Sequence, residues 1–445
     1  MSSRAAGTIT TSSRPAAAGP APARAAWRAW SGRLPSGVAF YLQASIVLFF
    51  LAGSSAPTPL YALYQARWGF SPITTTVVFG VYALAVLASL LTVGSLSDHI
   101  GRRPVLITAV AAQAAAMLVF ATASGVPELL AARVIQGLST GAAVGAVGAG
   151  LLDLNKTKGT IANAVGPITG TATGALGSGL LVQYLPSPTR LVYLALFAIF
   201  IIQGLGVALM AETSAAKPGA LASLRPQFSL PASVRGPVLR SIPALIAVWA
   251  LAGLYGSLGP ALVGIVSGSH SFVLGGLALF VLAGSAAVTV LLLHSAPPRA
   301  VMLAGCVALL AGVAITLLAV RESSIVLFFA GTAVAGAGFG GGFQGAIRTV
   351  IPLAAPHERS GVLSYIFVVS YLALGLPAVV AGVLVSHGAG VTAAAQEYGV
   401  AVMVLAGLAL AGLARQPRRE RGQMEPVPAA VPVEVRAMAT CGERA

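Results

Sequence analysis

Charge is what this 445-residue sequence has least of, with only 8% of its residues being Asp, Glu, Lys or Arg. Soluble domains carry roughly 25%. So few charges cannot cover a water-facing surface, so the lateral surface must face lipid. Acids are the scarcer sign, 11 against 26 bases, and all of them read as lying at helix ends, in loops or in tails. Cysteine is nearly absent. Cys306 lies in an apolar stretch and Cys441 in a polar tail, too far apart for a disulfide framework. The histidines (His99, His270, His294, His357 and His387) are scattered without metal-ligand spacing, so no metal is expected. There is no Gly-x-Ser-x-Gly elbow, no phosphate loop and nothing resembling an ion filter. Those absences argue against an enzyme, a cofactor and a channel.

What is present is apolar sequence, 57% of the chain. A spanning helix takes about 20 mainly apolar residues. The pattern predicts an all-α membrane protein with twelve transmembrane helices, at about 38–63, 72–96, 104–124, 127–152, 161–184, 189–211, 241–266, 271–294, 300–320, 323–350, 360–386 and 396–415. They fall into two six-helix bundles, 37–211 and 241–415, joined by a polar linker, 212–240, that holds Lys217, Arg225, Arg235 and Arg240. Residues 1–36 and 416–445 read as disordered tails, rich in Pro and charge or in Ser, Ala and Pro.

The net charge of +15 does not mean nucleic acid, because the bases are placed by topology. Of the 26, 22 fall in the tails, the linker and alternate loops, against Arg67, Arg190 and Arg321 on the other side and Arg133 within a helix. Basic residues accumulate on the cytoplasmic side of membrane proteins. Both termini are therefore expected in the cytoplasm, with two parallel halves and a substrate site between them. Arg far outnumbers Lys, and Ala and Gly dominate, a composition of GC-rich bacterial coding.

The loop after the second helix reads Gly94-Ser95-Leu96-Ser97-Asp98-His99-Ile100-Gly101-Arg102-Arg103-Pro104. Gly94 permits close helix approach, Asp98 sets a carboxylate where it can meet a helix N-terminus or a guanidinium, and Gly101 permits a tight turn. Arg102 and Arg103 anchor the loop inside. This closely resembles the signature of the major facilitator superfamily, Gly-x-x-x-Asp-Arg/Lys-x-Gly-Arg-Arg/Lys, with His99 in place of the usual base. The resemblance implies that Asp98, Arg102 and Arg103 latch a cytoplasmic gate against the other half. The second-half counterpart, His294 to Arg299, is degenerate and receives no gating role.

Arg133-Val134-Ile135-Gln136-Gly137 resembles the family's fourth-helix motif, Arg-x-x-Gln-Gly, and implies proton coupling through Arg133, Gln136 and Gly137. A charge within a membrane helix is costly and turns to a cavity or a partner; the alternative is an Arg reaching out to lipid headgroups. Gly166-Pro167, Gly170 and Gly174 resemble loosely the fifth-helix motif of antiporters, and the same four-residue spacing serves plain helix packing. The family's cavity is lined by helices 1, 4, 7 and 10, which implies Ser55, Gln136, Trp249, Tyr255 and Gln344 as substrate contacts. The whole is similar to the twelve-helix drug:proton antiporter branch. That implies a monomeric bacterial inner-membrane transporter exporting small amphipathic organic compounds in exchange for protons. An uptake permease or facilitator for a sugar, amino acid or organic acid is the alternative. No acid lies at a helix midpoint, so the proton carrier is left open among Glu128, Asp153, a histidine or none.

Overall fold

The computed structural model describes residues 34–226, 230–355 and 358–415. The expected tails, with their arginines and Cys441, lie outside the described residues apart from their edges at Leu34–Ser36, and so does His357. Among the described residues the chain is all-helical, with twelve helices of 20 or more residues. They are α1 Ser36–Ser55, α2 Pro72–Val93, α3 Arg102–Thr122, α4 Val126–Leu154, α5 Lys156–Tyr184, α6 Pro188–Leu209, α7 Ala232–Ser257, α8 Phe272–Leu292, α9 Pro298–Arg321, α10 Ile325–Val350, α11 Arg359–Leu384 and α12 Gly390–Ala414. Ten helical stretches are long and apolar enough to cross a membrane. The last of these, Arg359–Ala414, carries both α11 and α12, which are separated by non-helical backbone at His387 and Gly388. The stretch outside that set is α5, whose linker-side end holds Lys156, Lys158 and Asn163. Outward-facing side chains such as Ile202, Leu205, Leu292 and Val326 are exposed and apolar, as a lipid-facing surface requires.

Two helices differ from the sequence reading. The first was expected over 38–63, but α1 stops at Ser55, and a separate short helix, Tyr61–Trp68, follows. Pro57 and Pro59 supply no N–H to continue the ladder. The seventh was expected over 241–266, but α7 starts at Ala232 and stops at Ser257, and a short helix, Gly259–Ser267, follows. The linker is thus shorter than 212–240, and Arg235, Pro237 and Arg240 belong to α7. The two halves repeat one device here: a long helix, a short helix, and an αL glycine (Gly69 or Gly268) before the next long helix. A third difference concerns Glu397. The Gly388–Gly390 turn lets α12 begin at Gly390, so Glu397 lies two turns inside the helix, on its exposed face.

Packing follows the glycines. Small residues let backbones approach in lipid, where no hydrophobic drive presses helices together. A Cβ at Gly137 would lie 2.5 Å from the Ala85 Cβ, and one at Gly141 would lie 2.6 Å from the Ser89 Cβ, so α4 beds on α2. Gly170 and Gly174 meet the backbone of Leu48 and Ala52 in the same way, setting α5 on α1. In α10, Gly336 and Gly340 face α8, and Gly338 and Gly345 face α9.

Among the described residues, close contacts between the halves occur at the end remote from the linker. Gly80 and Gly382 of α2 and α11 pack on Val379 and Thr76 respectively. Gly179 of α5 meets Phe272, and Gly276 of α8 meets Ala175. Thr58 Oγ1 donates to the Gly256 carbonyl at 3.1 Å, Ile73 N–H to Ser386 Oγ at 3.2 Å, and Ser271 Oγ to Gln183 Oε1 at 2.7 Å.

Candidate transport site

Pro57 has a consequence inside the N-terminal half. An α-helix ends with carbonyls that lack partners, and the Gly53 carbonyl would have looked to residue 57 for its N–H. Gln136 of α4 answers it instead, its Nε2 donating at 3.0 Å. One residue on, the Ser54 carbonyl accepts from Arg133 Nη1 at 2.9 Å. Arg133 also donates from Nη1 to Gln136 Oε1 at 2.7 Å and from Nη2 to the Tyr61 hydroxyl. Its guanidinium carbon lies 5.1 Å from the ring centre of Tyr82, 5.7 Å from Phe120 and 5.8 Å from Tyr61. Arg133 is fully buried, so it does not reach out to headgroups. Its charge meets the negative end of the α1 dipole and three aromatic faces. Its hydrogen-bond acceptors are all neutral, and its Nε has no partner.

The short helix Tyr61–Trp68 serves this arrangement. Three-residue spacing puts Tyr61 and Tyr64 on one inward face. Tyr64 donates to the Tyr193 hydroxyl of α6 at 3.1 Å, Tyr64 stacks on Trp68, and Tyr193 stacks on Phe120. Deeper along α4, Ser139 Oγ donates to Gln113 of α3.

Across from this polar cluster the C-terminal half presents rings. Trp249 of α7 lies 5.4 Å from Phe343, 6.2 Å from Phe339 and 5.3 Å from Tyr371, centre to centre. All four are only partly buried, and the Trp249 indole N–H has no partner. Tyr371 of α11 lies within electrostatic range of Tyr82 of α2. Their helices, α2 and α11, approach each other at Gly80, Ala83 and Gly375, which brings the Arg133–Tyr82 pair of one half toward the Tyr371–Trp249 pair of the other.

Of the expected substrate contacts, Gln136 and Trp249 belong to these clusters. The others lie apart. Ser55 Oγ donates to the Ala52 carbonyl of its own helix, and Tyr255 is buried against Phe328 with its hydroxyl 2.8 Å from Thr332. Gln344 donates to the Val290 carbonyl of α8. Gly137 packs on α2, and Gly166, Gly170 and Gly174 pack on α1, with Pro167 inside α5. Sequence reasoning gave no role to Tyr61, Phe339 or Phe343.

The 94–103 loop forms a second cluster. Asp98 pairs with Arg102, whose Nε also reaches Asp153 of α4 at 3.3 Å. Glu212, just past α6, accepts from the backbone N–H groups of Arg102 at 2.8 Å and Arg103 at 3.0 Å, closing the N-terminus of α3. Gly101 has φ of 104°, and a Cβ there would lie 2.5 Å from the Glu212 carboxylate, so only glycine fits. Arg103 donates to the Ala208 carbonyl. The linker lies on this loop: Lys217 N–H donates to the His99 carbonyl at 2.7 Å, and Ser95 Oγ to the Ser223 carbonyl at 3.1 Å. These partners come from the N-terminal half and the linker. Glu212 was not foreseen, though its carboxylate directly follows an apolar helix.

A family model described as Major Facilitator Superfamily matches residues 43–296, more than half the chain. The chain belongs to the major facilitator superfamily. Among solved structures, its fold is similar to that of a mutant of the nucleoside transporter NupG, with a TM-score of 0.68 at 13% identity over 85% of this chain and 100% of that one. It is also similar to the human organic anion transporter MFSD10 (TETRAN), with a TM-score of 0.59 at 18% identity over 85% and 100%. At such identities the likeness is one of fold. Comparison with curated proteins gives no match. As a major facilitator chain, this is a multi-pass membrane transporter of small molecules and not an enzyme.

Proposed function

We propose that this transporter works by alternating access and exports small amphipathic organic compounds in exchange for protons. All twelve long helices cross the bacterial inner membrane in this reading, with the termini and linker in the cytoplasm. The observation that carries it is the pairing of a buried polar cluster around Arg133 with an accessible aromatic cluster around Trp249, on facing halves joined at one end. A site between two such halves is where this architecture binds substrate, and an aromatic lining suits amphipathic molecules. In this reading the end remote from the linker, where the halves meet, is the outer side and is closed. Asp98, Arg102 and Arg103 would latch the inner side in the opposite state, Arg102 leaving its present carboxylates as the linker shifts. Arg133, Gln136 and Gly137 would carry the coupling, and the Gly166–Gly174 face would let α5 slide on α1. The protein acts as a monomer in this reading.

One observation favours the alternative of an uptake permease or facilitator. Among the described residues Asp98 and Asp153 are held by Arg102, Glu128 lies near the remote end of α4, and Glu397 is on an exposed face. Glu212, Glu322 and Glu358 lie at helix ends, so among the described residues no acid stands beside Arg133 and Trp249 as a ready proton carrier.

The test is accumulation of a panel of fluorescent amphipathic compounds in a bacterium lacking its major efflux pumps. Lower accumulation with the wild type, abolished by a protonophore and by Arg133→Ala, is the expected result. No difference across the panel, with the protein verified in the membrane, sinks the efflux reading and moves the search to uptake assays.

A further inference from the structure

Among the described residues Arg133 is the one charged side chain with no exposure at all. Arginine stays protonated in any protein environment, so Arg133 holds a full positive charge in a setting where such charges are normally paired. Its three acceptors, the Ser54 carbonyl, Gln136 Oε1 and the Tyr61 hydroxyl, are neutral. The C-terminal end of α1 offsets about half a unit. Among the described residues no carboxylate accepts a hydrogen bond from Arg133. Asp98 and Asp153 pair with Arg102. Glu128, five residues before Arg133 on α4, accepts from Ser124 Oγ through Oε1 at 3.4 Å, and its Oε2 is buried without a hydrogen-bond partner.

That charge reaches the aromatic cluster through a low-dielectric path. Tyr82 lies under the guanidinium, Trp249 lies beside Tyr371, and the helices that carry Tyr82 and Tyr371 pack together where Gly375 meets Gly80 and Ala83. Trp249 contributes a buried indole N–H with no partner, which can only donate. Two features from opposite halves, a positive field and a free donor, therefore converge on one region whose walls are rings.

We propose that the substrate is an aromatic organic anion, its ring seated among Trp249, Phe339, Phe343 and Tyr371 and its carboxylate or sulfonate set toward Tyr82 and the Trp249 N–H. In the state described Arg133 is fully buried, so it acts on the anion by its field. Direct contact would require Tyr82 to swing aside. The same field disfavours lipophilic cations, because a like charge in a water-poor site is repelled strongly. This inference rests on the proposed placement of the substrate between the halves.

The experiment uses the purified full-length protein and three probes of one shape: 2-naphthoate, its neutral amide, and 2-naphthylmethylammonium. Binding is read from quenching of Trp249 fluorescence, with Trp249→Phe as the blank for the other tryptophans. The wild type should bind naphthoate at least about tenfold more tightly than the ammonium compound. Arg133→Gln should remove that preference, and Arg133→Lys, which keeps the charge, should retain most of it. Circular dichroism and gel filtration of each variant show that it is folded. A preference for the ammonium compound, equal binding of all three, no saturable quenching by naphthoate, or an unchanged ratio in folded Arg133→Gln overturns the proposal. Transport is read separately in proteoliposomes. Charge-selective binding without transport of any probe would defeat the efflux reading alone, and transport with cation preference would defeat this one alone.

Discussion

A buried guanidinium is sensitive to each of its acceptors. Removing the hydroxyl of Tyr61 leaves an N–H of Arg133 without a partner in a site that excludes water. Hydrogen bonds to charged groups contribute about 1.5–3 kcal/mol, neutral ones about 1 kcal/mol. Tyr61→Phe should therefore lower the thermal midpoint in detergent clearly more than Tyr64→Phe, which breaks only the neutral bond to Tyr193. Equal shifts would mean that Arg133 is satisfied elsewhere. At the loop, Gly101→Ala combines a positive φ with a collision against the Glu212 carboxylate. A non-glycine residue there costs about 1–2 kcal/mol before the collision is counted. The expected outcome is a marked drop in folded protein recovered from membranes, partly reversed by adding Glu212→Ala, which removes the collision and leaves the strain. No recovery with the double variant would mean that the Glu212 bonds to the Arg102 and Arg103 backbone matter more than the space.

At the scale of the helix, glycines divide into those that touch a neighbour and those that do not. Gly137 sits against Ala85 and Tyr82 of α2, whereas Gly407 of α12 has nothing within 4 Å of where its Cβ would be. Alanine is favoured over glycine in helices by about 1 kcal/mol. Gly407→Ala should be neutral or slightly stabilising, and Gly137→Ala should destabilise by more than that gain, both read as detergent melting curves. A stable Gly137→Ala would show that α2 and α4 are not closely apposed. Much of this level was legible beforehand. Apolar runs located every long helix among the described residues, and three- and four-residue spacing set Arg133, Gln136 and Gly137 near one face. The misplaced ends have a common cause. The apolar run continues through Pro57 to Leu63, and hydropathy does not register that proline withholds a donor. Conversely, Arg235, Pro237 and Arg240 read as linker, yet α7 tolerates Pro237 and Pro243 inside it. The partners of Arg133 were hidden because Tyr61 lies 72 positions away in sequence, and only the break after α1 brings it back.

For the whole molecule, the distribution of contacts between the halves makes a mechanical claim. If α2–α11 and α5–α8 close one side of the cavity, transport requires those pairs to part in every cycle. A Cβ at Gly382 would lie 3.0 Å from the Thr76 Cβ, below the roughly 3.5–4.5 Å that a disulfide spans, so the two helices must ease apart by about half an ångström to hold one. Thr76→Cys with Gly382→Cys, in a background where Cys306 and Cys441 are replaced by Ala, should cross-link on mild oxidation. The cross-linked protein should lose transport in proteoliposomes, and a reducing agent should restore it. Because the linker end is untouched, ligand binding measured by Trp249 quenching should survive the cross-link. This separates a locked gate from a damaged site: both signals lost would point to distortion of α2 and α11, and Tyr82 and Tyr371 with them. Transport that continues at the wild-type rate in fully cross-linked protein would mean that the seam remote from the linker does not open during the cycle, and alternating access through it would have to be abandoned.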